Sequence, residues 1–305
     1  MIGEKTMNRT ATWTSIGTNV ENKNTLNEVL KASGLDYTVG TREIKTADGI
    51  IIPNSVATVR ENDGSPIGIV SKSYKVCQNE EAFDFVNYID NVSFVRAGET
   101  SNGMVYIIGE LPECNVLGDA FKPYVIFQNS HNGRYTIKAA IAPLRIVCQN
   151  QFTMAFKESE NTINIKHSSK MNIKMEQARD VLAQTEKFME TLNSRAQMLA
   201  SVKVTPAQVT KLIEDMFPIK EDMTEHQKEV ISMKRAEFLN AYDCEDNQNF
   251  KGNAWGLVNS YSDYITHTAP QRKTANWEES KFMAVTLTPD FAKFIKMLNT
   301  VGVAA

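Results

Sequence analysis

The sequence predicts an α+β protein: an N-terminal antiparallel β-rich part with helices, followed by a mostly helical C-terminal part. Two observations carry this. Runs of β-branched residues in the first half are divided by Asp48-Gly49, by the turn cluster at 62–66 and by Asn132-Gly133. Such pairs suit tight hairpins because the turn needs positive φ, which Gly, Asn and Asp tolerate. Residues 172–201 contain no Gly or Pro, and Val181, Leu182, Phe188, Met189, Leu192, Ala196 and Leu199 follow the three–four spacing of an amphipathic helix.

The elements follow in order. Residues 1–24 read as a polar lead-in, rich in Thr and Asn, with no packed element expected. Thr25 is an N-cap type residue and starts a short helix that ends near Gly34. Strands are expected at 37–45, 50–61 and 67–75, then one helix over 80–90 with Ala82, Phe83, Val86, Tyr88 and Ile89 packed on the sheet. Further strands are expected at 94–97, 104–111, 124–129 and 135–142. Residues 145–150 end a strand or begin a helix, and 149–157 lean helical. After the helix over 172–201, Thr205-Pro206 restarts a helix to Met216, with Pro tolerated in the first turn. Helices are also expected at 224–242 and 254–266, and a last one opening at Thr288-Pro289. The chain divides into the lead-in at 1–24, a mixed α+β domain at 25–170 and a helical region at 171–305.

Composition bounds the function. In 305 residues, 42% are hydrophobic and 23% charged, ordinary values that exclude disordered, collagenous and coiled-coil classes. No apolar run of spanning length occurs, so no membrane span is expected. Cys77, Cys114, Cys148 and Cys244 lack any CxxC spacing, so neither a disulfide framework nor a zinc site is expected, and the setting reads as cytoplasmic. No phosphate-loop, dinucleotide, HExxH or EF-hand pattern appears, and no cofactor or metal is expected.

The net charge of −3 hides an asymmetry. Residues 120–175 hold eight Lys/Arg against two Glu, a local +6, which leaves −9 on the remainder. A basic segment beside an acidic body is the footprint of phosphate docking, and also of a merely solvated face. For phosphate contact, the candidates are Arg134, Lys138, Arg145, Lys166, Lys170 and Lys174. Tyr124, Phe127, Tyr135, Phe152 and Phe156 lie in the same segment; Tyr135, on a hairpin arm, is the one expected to be exposed. Asn129, His131, Arg145, Cys148, Asn150 and His167 form a second, catalytic candidate set. Within it, His131 is expected to be exposed in its turn and Cys148 to be a small core residue.

Four ordered runs carry a resemblance. They are IGIVSKSYKVCQNEEAFDF at 67–85, VIFQNSHNGRYTIKAAIAPLRIVCQN at 125–150, INIKHSSKMNIKMEQARDVL at 163–182 and GNAWGLVNSYSDYITH at 252–267. Together they resemble the phage/plasmid-like protein family known as domain of unknown function 932, which includes YafZ and YubP. The resemblance implies a phage or plasmid setting near replication, recombination and defence evasion. It assigns no catalytic residues.

Three functions are weighed. The first is a non-enzymatic single-stranded DNA binding and annealing protein. Its strand-strand-strand-helix start resembles the core of phage annealing proteins, with homo-oligomeric rings or filaments to follow. The second is an inhibitor that binds a host defence protein, for which the ten Asp/Glu against five Lys/Arg in 205–250 would serve. The third is an enzyme built on the Asn/His/Arg/Cys set. The order of preference is binding module, inhibitor, enzyme.

Overall fold

A computed structural model of the chain describes residues 12–145, 150–151, 162–169, 171, 185–268, 275–283 and 291–303. The first half contains β1 (Thr18–Asn19), α1 (Leu26–Ala32), β2 (Val39–Lys45), β3 (Ile51–Arg60), β4 (Pro66–Ser71), α2 (Asn79–Phe83), β5 (Ser93–Glu99), β6 (Met104–Glu110), β7 (Cys114–Val116), β8 (Asp119–Ser130), β9 (Ile137–Arg145), β10 (Asn150–Gln151) and β11 (Thr162–Ile165). The second half contains α3 (Thr185–Ser201), α4 (Pro206–Met216), α5 (Glu225–Asp243), α6 (Ala254–Asp263), α7 (Trp277–Phe282) and α8 (Phe291–Thr300).

The strands form two antiparallel sheets. Strands β2-β3-β4 make a small sheet, and β1-β5-β6-β8-β9-β10 a large one, with β7 added to β8 and β11 to β9. The large sheet is buried on both faces, and alternation along each strand sorts its side chains. Val105, Ile107, Val125, Phe127, Ala139 and Ile141 face one core with Val29, Leu30, Phe83 and Val86 from α1 and the α2 region. Tyr106, Ile108, Tyr124, Ile126, Ala142 and Leu144 face another with Trp13, Ile16 and Phe282. A third core joins Val116 and Phe121 of the sheet to Leu192, Leu212, Phe238, Trp255 and Leu298 of the helices.

Local chemistry sets the element ends. Thr25, Thr205 and Thr224 each accept from the backbone three residues on, in reciprocal capping boxes with Glu28, Gln208 and Gln227. Asn253 caps α6 by accepting from Gly256 N. Gly49 and Gly133 take φ of +86° and +74° in their turns, the conformation the hairpin signals imply.

Several expectations need correction. The lead-in is packed: Trp13, Ile16 and Val20 are buried, and β1 pairs with β5. The helix expected over 80–90 is α-helical only to Phe83 and tightens to a 3₁₀ turn over Asp84–Tyr88, which leaves Tyr88 exposed. Asn150–Gln151 is a strand rather than helix, and the rest of 149–157 lies outside the described residues apart from that pair. The long helix is described from Thr185 to Ser201, where Phe188, Leu192, Ala196 and Leu199 are its buried face; residues 172–184 and the Thr288-Pro289 start lie outside the described residues.

Candidate nucleic-acid interface and the polar network beneath it

The six candidate cations do not share one place. Arg134 is exposed in the turn between β8 and β9, where its backbone N–H donates to Asn132 Oδ1 at 3.0 Å. Lys138, half-buried on β9, lies opposite Gln128 of β8 and Asn164 of β11. Lys166 is exposed just past β11. Lys170 and Lys174 lie outside the described residues.

Arg145 sits at the other end of β9 and is buried. Its Nε and Nη2 donate to Asp119 Oδ2 at 2.8 and 2.7 Å, Nη2 also donates to the Asp246 carbonyl at 2.8 Å, and the guanidinium lies over the Phe250 ring. A charge taken out of water needs such partners. Arg145 is therefore a structural clamp between the sheet and the helical half, which corrects its expected role as a phosphate contact. Lys122 of the same basic run is also neutralised, by Glu110 at 2.9 Å and Glu113 at 3.6 Å.

Arg134, Lys138 and Lys166 lie at one end of the large sheet, and the segment after β4 brings Lys72 and Lys75 there, both exposed. This segment is stitched in place. Tyr74 Oη donates to the Ser130 carbonyl at 2.8 Å, and its ring stacks on His167 at 4.7 Å. Lys75 N donates to the His167 carbonyl at 3.4 Å, and His167 Nδ1 meets the Lys75 carbonyl at 3.0 Å.

A groove of about 520 Å³ opens at this end, between β4, the β5–β6 turn and the β8–β9 turn. Arg60, Gly68, Glu99, Ser101, Asn132 and Arg134 are among its walls. Asn132 holds the turns together: Oδ1 accepts from Ser130 Oγ at 3.0 Å, and Nδ2 donates to the Asn102 carbonyl at 2.7 Å. Gly68 allows the close approach of β4, since a Cβ there would stand 2.8 Å from Asn132 Cα. Arg60 bonds Glu99 at 2.6 Å and lies 4.1 Å over the Tyr37 ring, and Tyr37 Oη donates to the same carboxylate at 3.2 Å. Desolvation, with Glu99 adding to it, pushes the Tyr37 phenol up to about 12.

Behind the groove lies a buried polar network. His131 is 1% exposed, which corrects its expected exposure in the turn. Thr58 Oγ1 donates to its carbonyl at 2.7 Å, and its Nε2 meets Asn79 Oδ1 at 2.9 Å. Because Asn79 Nδ2 donates to the Leu35 carbonyl, Oδ1 is the accepting end and Nε2 carries the proton. Asn129 Nδ2 donates to the Cys77 carbonyl and to Asn79 Oδ1, both at 3.1 Å. Burial pushes His131 down to about 4, with His167 and Arg60 adding to the shift, so the ring is neutral near pH 7.

The catalytic candidate set is thus split. Asn129, His131 and His167 belong to one end of the sheet. Arg145 is about 26 Å away along β9 at 3.3 Å per residue, and Asn150 pairs with it there. Cys148 lies outside the described residues. The ring bonds of His131 and His167 go to an amide and a carbonyl, neither a nucleophile. Burial raises the Cys77 thiol far above its usual range, away from thiolate chemistry. Among the described residues no group of three or more His, Cys, Asp or Glu is placed to hold a metal ion, and no helix is long and apolar enough to cross a membrane.

Tyr124 and Phe127 are buried in the core, Tyr135 is half-buried rather than exposed, and Phe152 and Phe156 lie outside the described residues. The sequence reading missed Arg60, Glu99, Tyr37, Asn79, Lys72 and Lys75. Of these only Asn79, a polar residue opening a helix inside an otherwise packing segment, left a local trace.

Comparison with curated proteins and with solved structures gives no match. The family described as domain of unknown function DUF932 matches residues 66–285, which include β4, the β8–β9 hairpin, the network residues Asn79, Asn129 and His131, and most of the helical half. The chain belongs to that family.

Proposed function

We propose that this chain binds single-stranded DNA along the hairpin end of its large sheet, without catalysing a reaction, and anneals strands in phage or plasmid DNA recombination. The observation that carries this reading is the gathering of Lys72, Lys75, Arg134 and Lys166, all exposed, with Lys138 beside them, from three separate segments of the chain. Cations so placed neutralise phosphates and release counterions, a driving force that does not depend on base sequence. The β2-β3-β4-α2 order supports the likeness to the strand-strand-strand-helix core of phage annealing proteins.

The test is a fluorescence-anisotropy titration with labelled single-stranded DNA at several salt concentrations. With about four phosphates contacted, log affinity against log salt falls with a slope of roughly −3. Absence of binding, or affinity indifferent to salt, defeats the reading.

A second reading is occlusion of a host defence protein by the helical half. Ile219, Met233 and Leu239 are 41%, 54% and 40% exposed there, on the stretch that carries the acidic excess. Apolar side chains in an acidic surround suit a basic protein partner better than a nucleic acid.

A further inference from the structure

The groove between β4, the β5–β6 turn and the β8–β9 turn holds a carboxylate. Glu99, the last residue of β5, lines it together with Arg134. A carboxylate repels a phosphate, so Glu99 does not serve backbone contact. Its two oxygens differ in their surroundings. Arg60 Nη2 at 2.6 Å and Tyr37 Oη at 3.2 Å both donate to Oε2. Among the described residues no bond is made to Oε1. The Arg60 guanidinium also lies over the Tyr37 ring, so the two donors that orient the carboxylate are held against each other. Glu99, its side chain 23% exposed, therefore presents one acceptor in a fixed place.

At about 520 Å³ the groove is within the ~300–1,000 Å³ of clefts that hold ligands. Apart from Glu99, Arg60 and Arg134 its lining is uncharged, and Ile69, 69% exposed, adds an apolar surface to it. A single strand can splay one base from its stack and offer that base's Watson–Crick edge to a pocket. An acceptor of fixed position then sorts bases by what they carry there. The cytosine N4 amino group donates to a carboxylate, whereas thymine has the O4 carbonyl at the same ring position, and two acceptors repel. Arg134, exposed and lining the same groove, is a cation for the adjoining phosphate.

We propose that this groove takes one unstacked base of the bound strand and that Glu99 Oε1 accepts from its exocyclic amino group, so that cytosine is preferred to thymine. The inference rests on the DNA-binding reading. It adds to the phosphate contacts, which are blind to sequence, one contact that is not. Arg60 and Tyr37 act as positioning residues: by occupying Oε2 they leave Oε1 as the oxygen that the base meets.

Fluorescence-anisotropy titrations of the full chain with labelled oligo(dC) and oligo(dT) of equal length, in one buffer, test this. The wild type is expected to bind oligo(dC) roughly tenfold more tightly, the worth of one hydrogen bond to a charged group. Glu99→Gln should reverse the order. Arg60 and Tyr37 both donate, so they keep the amide oxygen in the place of Oε2 and leave the amide nitrogen in the place of Oε1. A donor there suits thymine O4 and opposes cytosine N4. Thermal melting followed by circular dichroism establishes that the variant is folded. A wild type that binds oligo(dT) as tightly as oligo(dC) overturns the proposal and leaves the DNA-binding reading standing, as does a folded Glu99→Gln protein that still prefers oligo(dC). A wild type that binds neither strand overturns both.

Discussion

Arg145 and Asp119 meet at 2.7 Å with side chains 3% and 17% exposed, and through this pair the last residue of β9 is tied to the first of β8 beneath the helical half. The same guanidinium holds the Asp246 carbonyl, so one side chain bridges sheet and helices.

Arg145→Ala should therefore act on stability. Removing one partner leaves the Asp119 charge poorly compensated, at a cost of about 3–5 kcal/mol. Urea denaturation should show the loss. Any DNA bound by the folded fraction should keep the wild-type salt slope, because Arg145 is buried at the end of β9 away from the proposed interface.

Arg134→Ala and Lys166→Ala should do the reverse. Both residues are exposed, so unfolding midpoints should stay within experimental error of the wild type. Each substitution should flatten the salt slope by about 0.7, the contribution of one phosphate on a single strand. Unchanged slopes in both would place the DNA on another face.

His131 makes stability depend on acid. Its folded pKa lies at about 4 against the ordinary 6.5, chiefly through burial. The unfolded chain therefore takes up a proton that the folded chain refuses. The stability present above pH 6.5 should fall as pH drops through 6.5 toward 4, by about 3 kcal/mol over that window. His131→Gln, whatever its cost at neutral pH, should remove that part of the slope in denaturation curves recorded from pH 7 to 4.

Gly68→Ala should loosen the groove. The added methyl would stand 2.8 Å from the Asn132 backbone, which cannot yield like a flexible side chain. Overpacking of this kind costs about 1–3 kcal/mol. Calorimetry should record a lower melting temperature for the variant.

Much of the fold was legible in the sequence because its signals are local. Gly49 and Gly133 fill turn positions that need positive φ, Thr25, Thr205 and Thr224 cap helices through bonds that span three residues, and Leu192, Ala196 and Leu199 repeat at the helical period. Each of these depends on neighbours within a turn or two. The site was not legible in this way, because burial and pairing are decided by distant segments. His131 is buried by Thr58 and Asn79, Arg145 is neutralised by Asp119 and Asp246, and Trp13 is covered by packing against Tyr124. A run of positive charge in one dimension was therefore divided by tertiary structure into a clamp at one end of β9 and an exposed cluster at the other. The physical reason is that desolvation penalises any charge the fold buries, so only the folded arrangement determines which cations are spent on internal carboxylates and which remain at the surface.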